Sequence, residues 1–111
     1  MQTFLVLFLA PSSVIEEWMK TPQAEREAAE KKMRDEWNIW MSNHASMIKE
    51  TNAGGKTKRV NTSGVADTKN DIMLYSIVEA ESHDVAAKAF EDHPHLGIPQ
   101  ASIEVMAIRP M

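Results

Sequence analysis

Between Thr3 and Leu9 (TFLVLFL) both alternating sets of positions are apolar, Phe4, Val6 and Phe8 on one and Leu5, Leu7 and Leu9 on the other. A strand of this kind wants cover on both faces, so the spacing predicts a central strand. Asp71 to Ala80 (DIMLYSIVEA) repeats the pattern, with Met73, Tyr75 and Ile77 on one side and Ile72, Leu74 and Val78 on the other. Ser102 to Arg109 (SIEVMAIR) reads as the last strand.

The rhythm between these strands is helical. Pro11, Ser12 and Ser13 interrupt the first strand, and either serine can cap a short helix running to Lys20. Thr21 followed by Pro22 is a second start signal. From Pro22 to about Glu50 there is no glycine or proline, and Met33, Trp37, Trp40, Met41, Met47 and Ile48 form an apolar stripe that includes His44. Asn52, Gly54 and Gly55 end that helix, Lys56 to Thr62 reads as a short polar edge strand, and Ser63 to Asn70 reads as a loop. Ser82 is a cap for a further helix with Val85, Ala86, Ala89 and Phe90 on its core face, ending near His93 before Pro94.

The order is a β-α-β unit used twice. It predicts an α+β chain of ferredoxin-like βαββαβ topology, a single domain over 1–111, with a four-stranded antiparallel sheet and its helices on one face. The other sheet face then carries apolar residues without cover, and a second copy packed sheet on sheet is the simplest remedy. A homodimer is expected, in the manner of a dimeric α/β barrel.

Composition narrows the function. A formal net charge of -4 argues against nucleic acid as partner, because phosphate neutralisation needs a basic face. Lys56, Lys58 and Arg59 form the one basic cluster. With no cysteine there is no disulfide or thiolate chemistry, which fits a reducing compartment. Phe4 to Ala10 is too short for a membrane helix of roughly 20 residues and has no basic residue before it, so a strand is preferred to an export signal. No membrane span is expected, and the cytoplasm is the expected location.

The segment TNAGGKTKRVNTSGVADTKNDIMLYSIVEAESHDVAAKAFEDHPHL followed by SIEVM resembles the YCII-related family, in the branch with an Asp-Gly-Pro-Phe signature. The resemblance rests on the Gly54-Gly55 turn, the Thr68-Lys69 pair, His93-Pro94 and the Ile103 to Val105 strand, and it covers roughly Asn52 to Met106. The loop from Val65 to Asn70 keeps Asp67 but lacks the Gly-Pro-Phe that follows the aspartate in that signature. The resemblance implies a ferredoxin-like subunit, a dimer, a His and Asp pair in a cleft, and activity on small cyclic or aromatic molecules.

His44 leads the candidates for chemistry. Set into an apolar helix face, it is either a general base or a core histidine bonded to a backbone carbonyl. His93, with Asp67 or Asp92, could form an acid/base dyad, the carboxylate fixing the imidazole tautomer; alternatively His93 caps the preceding helix. Trp40, Tyr75 and His95 are candidate ligand contacts, and Trp18 and Trp37 belong either to the same aromatic pocket or to the core. His93 and His95 make an H-x-H pair, but no third ligand stands at a motif spacing, so no metal is expected, and no cofactor fingerprint is present. Two functions are expected to compete. One is a small dimeric acid/base enzyme without a cofactor acting on a small cyclic or aromatic molecule, and the other is a noncatalytic small-ligand binding or accessory protein.

Overall fold

The computed structural model describes all residues from Met1 to Met111. The elements are β1 (Gln2–Leu9), α1 (Ser12–Trp18), α2 (Gln23–Asn43), β2 (Ile48–Ala53), β3 (Thr57–Asn61), β4 (Gly64–Thr68), β5 (Ile72–Ala80), α3 (His83–Lys88), a 3-10 turn (Pro94–Gly97) and β6 (Ser102–Ala107). Four strands form one sheet in the order β2-β5-β1-β6, with every neighbouring pair antiparallel. This is the ferredoxin-like arrangement expected from the strand pattern, and β1 is central in it.

The register sorts the side chains of β1. Phe4 lies opposite Val78 and Ala107, Val6 opposite Ser76 and Val105, and Phe8 opposite Leu74 and Ile103. These residues face the helices, and Phe4, Val6, Phe8 and Val78 are fully buried with Trp40, Ala86 and Phe90. The one polar side chain set among them on β5, Ser76, shares a hydroxyl–hydroxyl bond of 2.7 Å with Thr51, which meets the cost of burying it. On the opposite face Leu5 meets Ile77 and Met106, and Leu7 meets Tyr75 and Glu104. No helix covers that side. The molecule is a plate of 44 × 44 × 20 Å with a radius of gyration of 15.8 Å, against about 13 Å for a globule of this length, and only 12 of 111 residues are buried.

Several boundaries differ from the expectation. The long helix stops at Asn43 rather than near Glu50, because His44 leaves helical backbone at φ -121 and residues 48–53 pair with β5 instead. The edge strand of the sheet is therefore β2. Lys56 to Thr62 does not join the sheet; its residues 57–61 pair with 64–68, inside the expected loop, as a separate two-stranded ribbon. Asn61 accepts the Ser63 N–H at 2.9 Å and Gly64 takes φ +122, a left-handed conformation that only glycine adopts without strain. Gly54 has its own reason. A side chain there would press within 3.3 Å of the Ile72 and Met73 carbonyl oxygens as β2 meets β5.

The helix starts also differ in detail. Pro11 and Pro22 occupy the cap positions of α1 and α2 without a side-chain cap, whereas Ser82 caps α3 as expected, accepting the Val85 N–H at 3.1 Å. Helix α3 ends at Lys88, short of His93. No helix is long and apolar enough to cross a membrane.

Candidate functional site

Pro94 sets the local geometry of the central histidine. Proline disfavours helical backbone in the residue before it, and His93 is extended at φ -65, ψ 138, capping the 3-10 turn. Its Nδ1 accepts the backbone N–H of His95 at 3.0 Å. An Nδ1 that accepts carries a lone pair, so the neutral ring holds its proton on Nε2. That Nε2 is the one buried side-chain nitrogen or oxygen without a hydrogen-bond partner.

Aromatic rings enclose this imidazole. Its centroid lies 4.3 Å from Trp37 and 4.5 Å from Trp40, both edge to face, 5.1 Å from Phe8 and 5.9 Å from Phe90. The ring is 2 % exposed. Burial pushes its pKa down to about 4, the imidazoles of His95 and His44 act in the same direction, and the Asp92 carboxylate opposes them more weakly. His93 is thus a neutral hydrogen-bond donor across the ordinary pH range.

His44 packs on the same indole. Its ring stacks on Trp40 at 4.1 Å and 17°, and its Nδ1 donates to the Trp40 carbonyl at 2.8 Å. With the proton on Nδ1, the neutral ring keeps a lone pair on Nε2. Trp40 itself is anchored by its indole N–H to the Ala89 carbonyl at 3.3 Å. The two histidines that meet at Trp40 therefore hold opposite tautomers, one offering a proton and one accepting.

The remaining predicted residues distribute differently. His95 is buried, donates from Nε2 to the Leu9 carbonyl at 2.9 Å, and has its pKa lowered by burial against the pull of the Leu9 and Ser102 carbonyls; it ties the 3-10 turn to the end of β1. Asp92 is exposed and bonds to neither imidazole. Asp67 lies on the ribbon, paired with Lys58 at 2.6 Å and almost fully exposed, so the expected His–Asp dyad does not form with it. The cause is the ribbon, which takes residues 57–68 out of the sheet. Tyr75 is on the opposite sheet face, where its hydroxyl accepts from Asn52 at 3.0 Å and donates to Glu50 at 3.4 Å. It is not brought to the histidines. Backbone groups, not carboxylates, orient both rings. No three of the His, Asp and Glu side chains converge as a metal-ligand set.

Of the four residues expected as an aromatic pocket or as core, Trp18 and Trp37 line a cavity that adjoins the cluster, and Trp40 and Tyr75 do not. This cavity of about 1090 Å³ opens between α1, the middle of α2 and the Gly97–Pro99 turn, with Trp18, Met33, Trp37 and Ile98 in its walls and Met73 among its lining residues. Trp37 serves both places, packing against His93 and lining the cavity. The apolar stripe of α2 is visible in sequence; that Met33 and Trp37 of that stripe line a cavity with α1 is a property of the tertiary structure.

The architecture defines an α+β protein of ferredoxin-like topology. No family model matches the chain, and no curated protein matches it in sequence. Among solved structures it is similar to 5-chloro-2-hydroxyhydroquinone dehydrochlorinase (TftG) from Burkholderia phenoliruptrix AC1100, in complex with 2,5-dihydroxybenzoquinone, with a TM-score of 0.52, 14% identity, and coverage of 100% of this chain and 94% of that one. At that identity the likeness establishes a shared fold.

Proposed function

We propose that the chain is a homodimer of YCII-related type, working in the cytoplasm, in which each subunit acts on a small cyclic or aromatic molecule by proton transfer without a cofactor. The observation that carries this reading is the pair of opposite tautomers on Trp40: an unpartnered, buried His93 Nε2–H and a His44 Nε2 lone pair. A neutral imidazole donor suits a carbonyl or phenol oxygen, whose developing negative charge it stabilises. His44 would take the proton released from the same molecule as general base. Trp37, which packs on His93 and also lines the adjoining cavity with Trp18, favours a flat substrate. The dehydrochlorinase, named for its action on a hydroquinone, is a precedent for such chemistry on this fold.

The dimer reading rests on the open sheet face, where Leu5, Leu7, Ile77 and Met106 adjoin one another beside Tyr75. An antiparallel sheet face left to water normally alternates to polar residues, and this one does not along β1.

A second reading has its own observation. Neither imidazole is oriented by a carboxylate and His93 is held near pKa 4, which suits a recognition donor as well as a catalytic one. Binding without turnover follows from that. His44→Gln and His93→Gln separate the two. In the enzymatic case each variant still binds a hydroxyquinone probe by calorimetry, while conversion followed by absorbance falls by about 10² or more. Conversion by both variants at the parental rate would refute the proton-transfer roles, and a parent that binds but never converts would establish the second reading.

A further inference from the structure

We infer that the cavity between α1 and α2 is the binding chamber for an uncharged, planar aromatic molecule of at least two fused rings, with Trp37 as the wall that abuts the histidine cluster. The inference deepens the reading of a protein that acts on aromatic molecules and rests on it for the purpose of the chamber, though not for its existence.

Size is the first argument. The cavity measures about 1090 Å³, whereas an apolar cavity of about 150 Å³ is enough to hold benzene. A single ring would leave most of the space empty or wet. The walls supply the second. Trp18 and Trp37 are planar surfaces for stacking, and Met33 and Met73 are adaptable side chains with sulfur suited to ring edges.

Charge gives the third argument, against an anion. The charged residues in the lining are Glu17, Glu30 and Arg34. Glu17 is paired with Lys20 at 3.3 Å outside the lining, and in the lining itself the two carboxylates, Glu17 and Glu30, outnumber the one cation, Arg34. No surplus positive charge remains for a carboxylate or phosphate, and burying an unpaired anion against these walls is costly. Concavity argues for a small molecule rather than a protein surface, since α1, α2 and the Gly97–Pro99 turn all contribute to the lining. Finally, Trp37 lies 4.3 Å from His93. A ring stacked on Trp37 therefore lies one side chain away from the unpartnered donor.

Calorimetric titration of the full chain at neutral pH with 2-naphthol, 2-naphthoate and phenol tests this. The expected result is measurable binding of 2-naphthol, with 2-naphthoate and phenol each weaker by at least about tenfold. Ala29→Trp fills the cavity from α2 and Ile98→Glu places a charge in its wall. Either variant, with an unchanged far-ultraviolet dichroism spectrum, is expected to weaken 2-naphthol by about tenfold or more. Naphthoate binding as tightly as naphthol, or naphthol affinity unchanged in both variants, would overturn the inference. Turnover is read separately from binding, which keeps failure of the catalytic reading distinct. Naphthol binding by the parent that both cavity variants weaken supports the chamber whether or not any hydroxyquinone is converted.

Discussion

The Nδ1 atom of His93 accepts the backbone N–H of His95 at 3.0 Å, and this one bond decides which nitrogen of a buried imidazole carries its proton. The bond spans two residues and is set by the extended backbone before Pro94. Protonating His93 would require Nδ1 to become a donor facing another donor, so the bond and the burial disfavour the imidazolium together.

Stability should fall as the solution is acidified. The folded pKa of His93 is about 4, below the 6.5 of the unfolded chain, so between these values the unfolded state binds more protons and stability rises with pH. The contribution is complete above pH 6.5 and is lost as pH falls towards 4. With a discount for solvent close to so thin a plate, the loss is about 2 kcal/mol. Urea titrations at a series of pH values should show this slope in the parent and a flatter one in His93→Gln; equal slopes would remove His93 as the cause.

Trp40→Phe should cost about 1–2 kcal/mol. The substitution leaves the Ala89 carbonyl without its indole donor and opens space between His44 and Phe90. Denaturant midpoints at constant slope would report it. A change within experimental error would mean that the indole neither bonds nor fills as described.

Leu7→Glu tests the bare sheet face. Leu7 stands between Tyr75 and Glu104 on that face, and a charge there should oppose packing on a second copy. Sedimentation at micromolar concentration is expected to give a dimer for the parent and a monomer for the variant. A monomeric parent would end the dimer proposal.

Gln100→Gly should stabilise. Gln100 holds φ +62, the only non-glycine residue of the chain in the left-handed region, and glycine removes that strain, for a gain of about 0.5–1 kcal/mol. Thermal melting would show the shift, and a lower melting temperature would mean that the glutamine side chain does more for the turn than its backbone costs.

Much of the fold was legible because β1 and β5 are apolar runs bounded by turn and cap residues, which mark them as central strands, and in the structure they lie side by side in the middle of the sheet. The edge strand β2 was not legible. Nothing between Asn43 and Ile48 breaks a helix by composition, and only pairing with β5 draws residues 48–53 away from helical backbone. The ribbon shows the opposite case, since Asn61, Ser63 and Gly64 are turn signals, but they mark the apex of a hairpin and not a loop. His44 and His93 could be read as candidates from the stripe of α2 and the His-Pro step. Their opposite tautomers could not, because these depend on backbone atoms that each ring happens to meet. Asp67 is a partner for His93 by motif alone, and the topology carries it onto the ribbon; the face of Tyr75 is a matter of register, which places it on the sheet side away from the helices.

The ribbon β3–β4 shares no strand pairing with the four-stranded sheet, and its apex residues Thr62 and Ser63 are exposed. A chain interrupted or extended at that apex keeps the pairing of every sheet strand intact. The molecule thus carries its own handle, where a fluorophore or an immobilisation tag can be grafted without approaching the imidazoles.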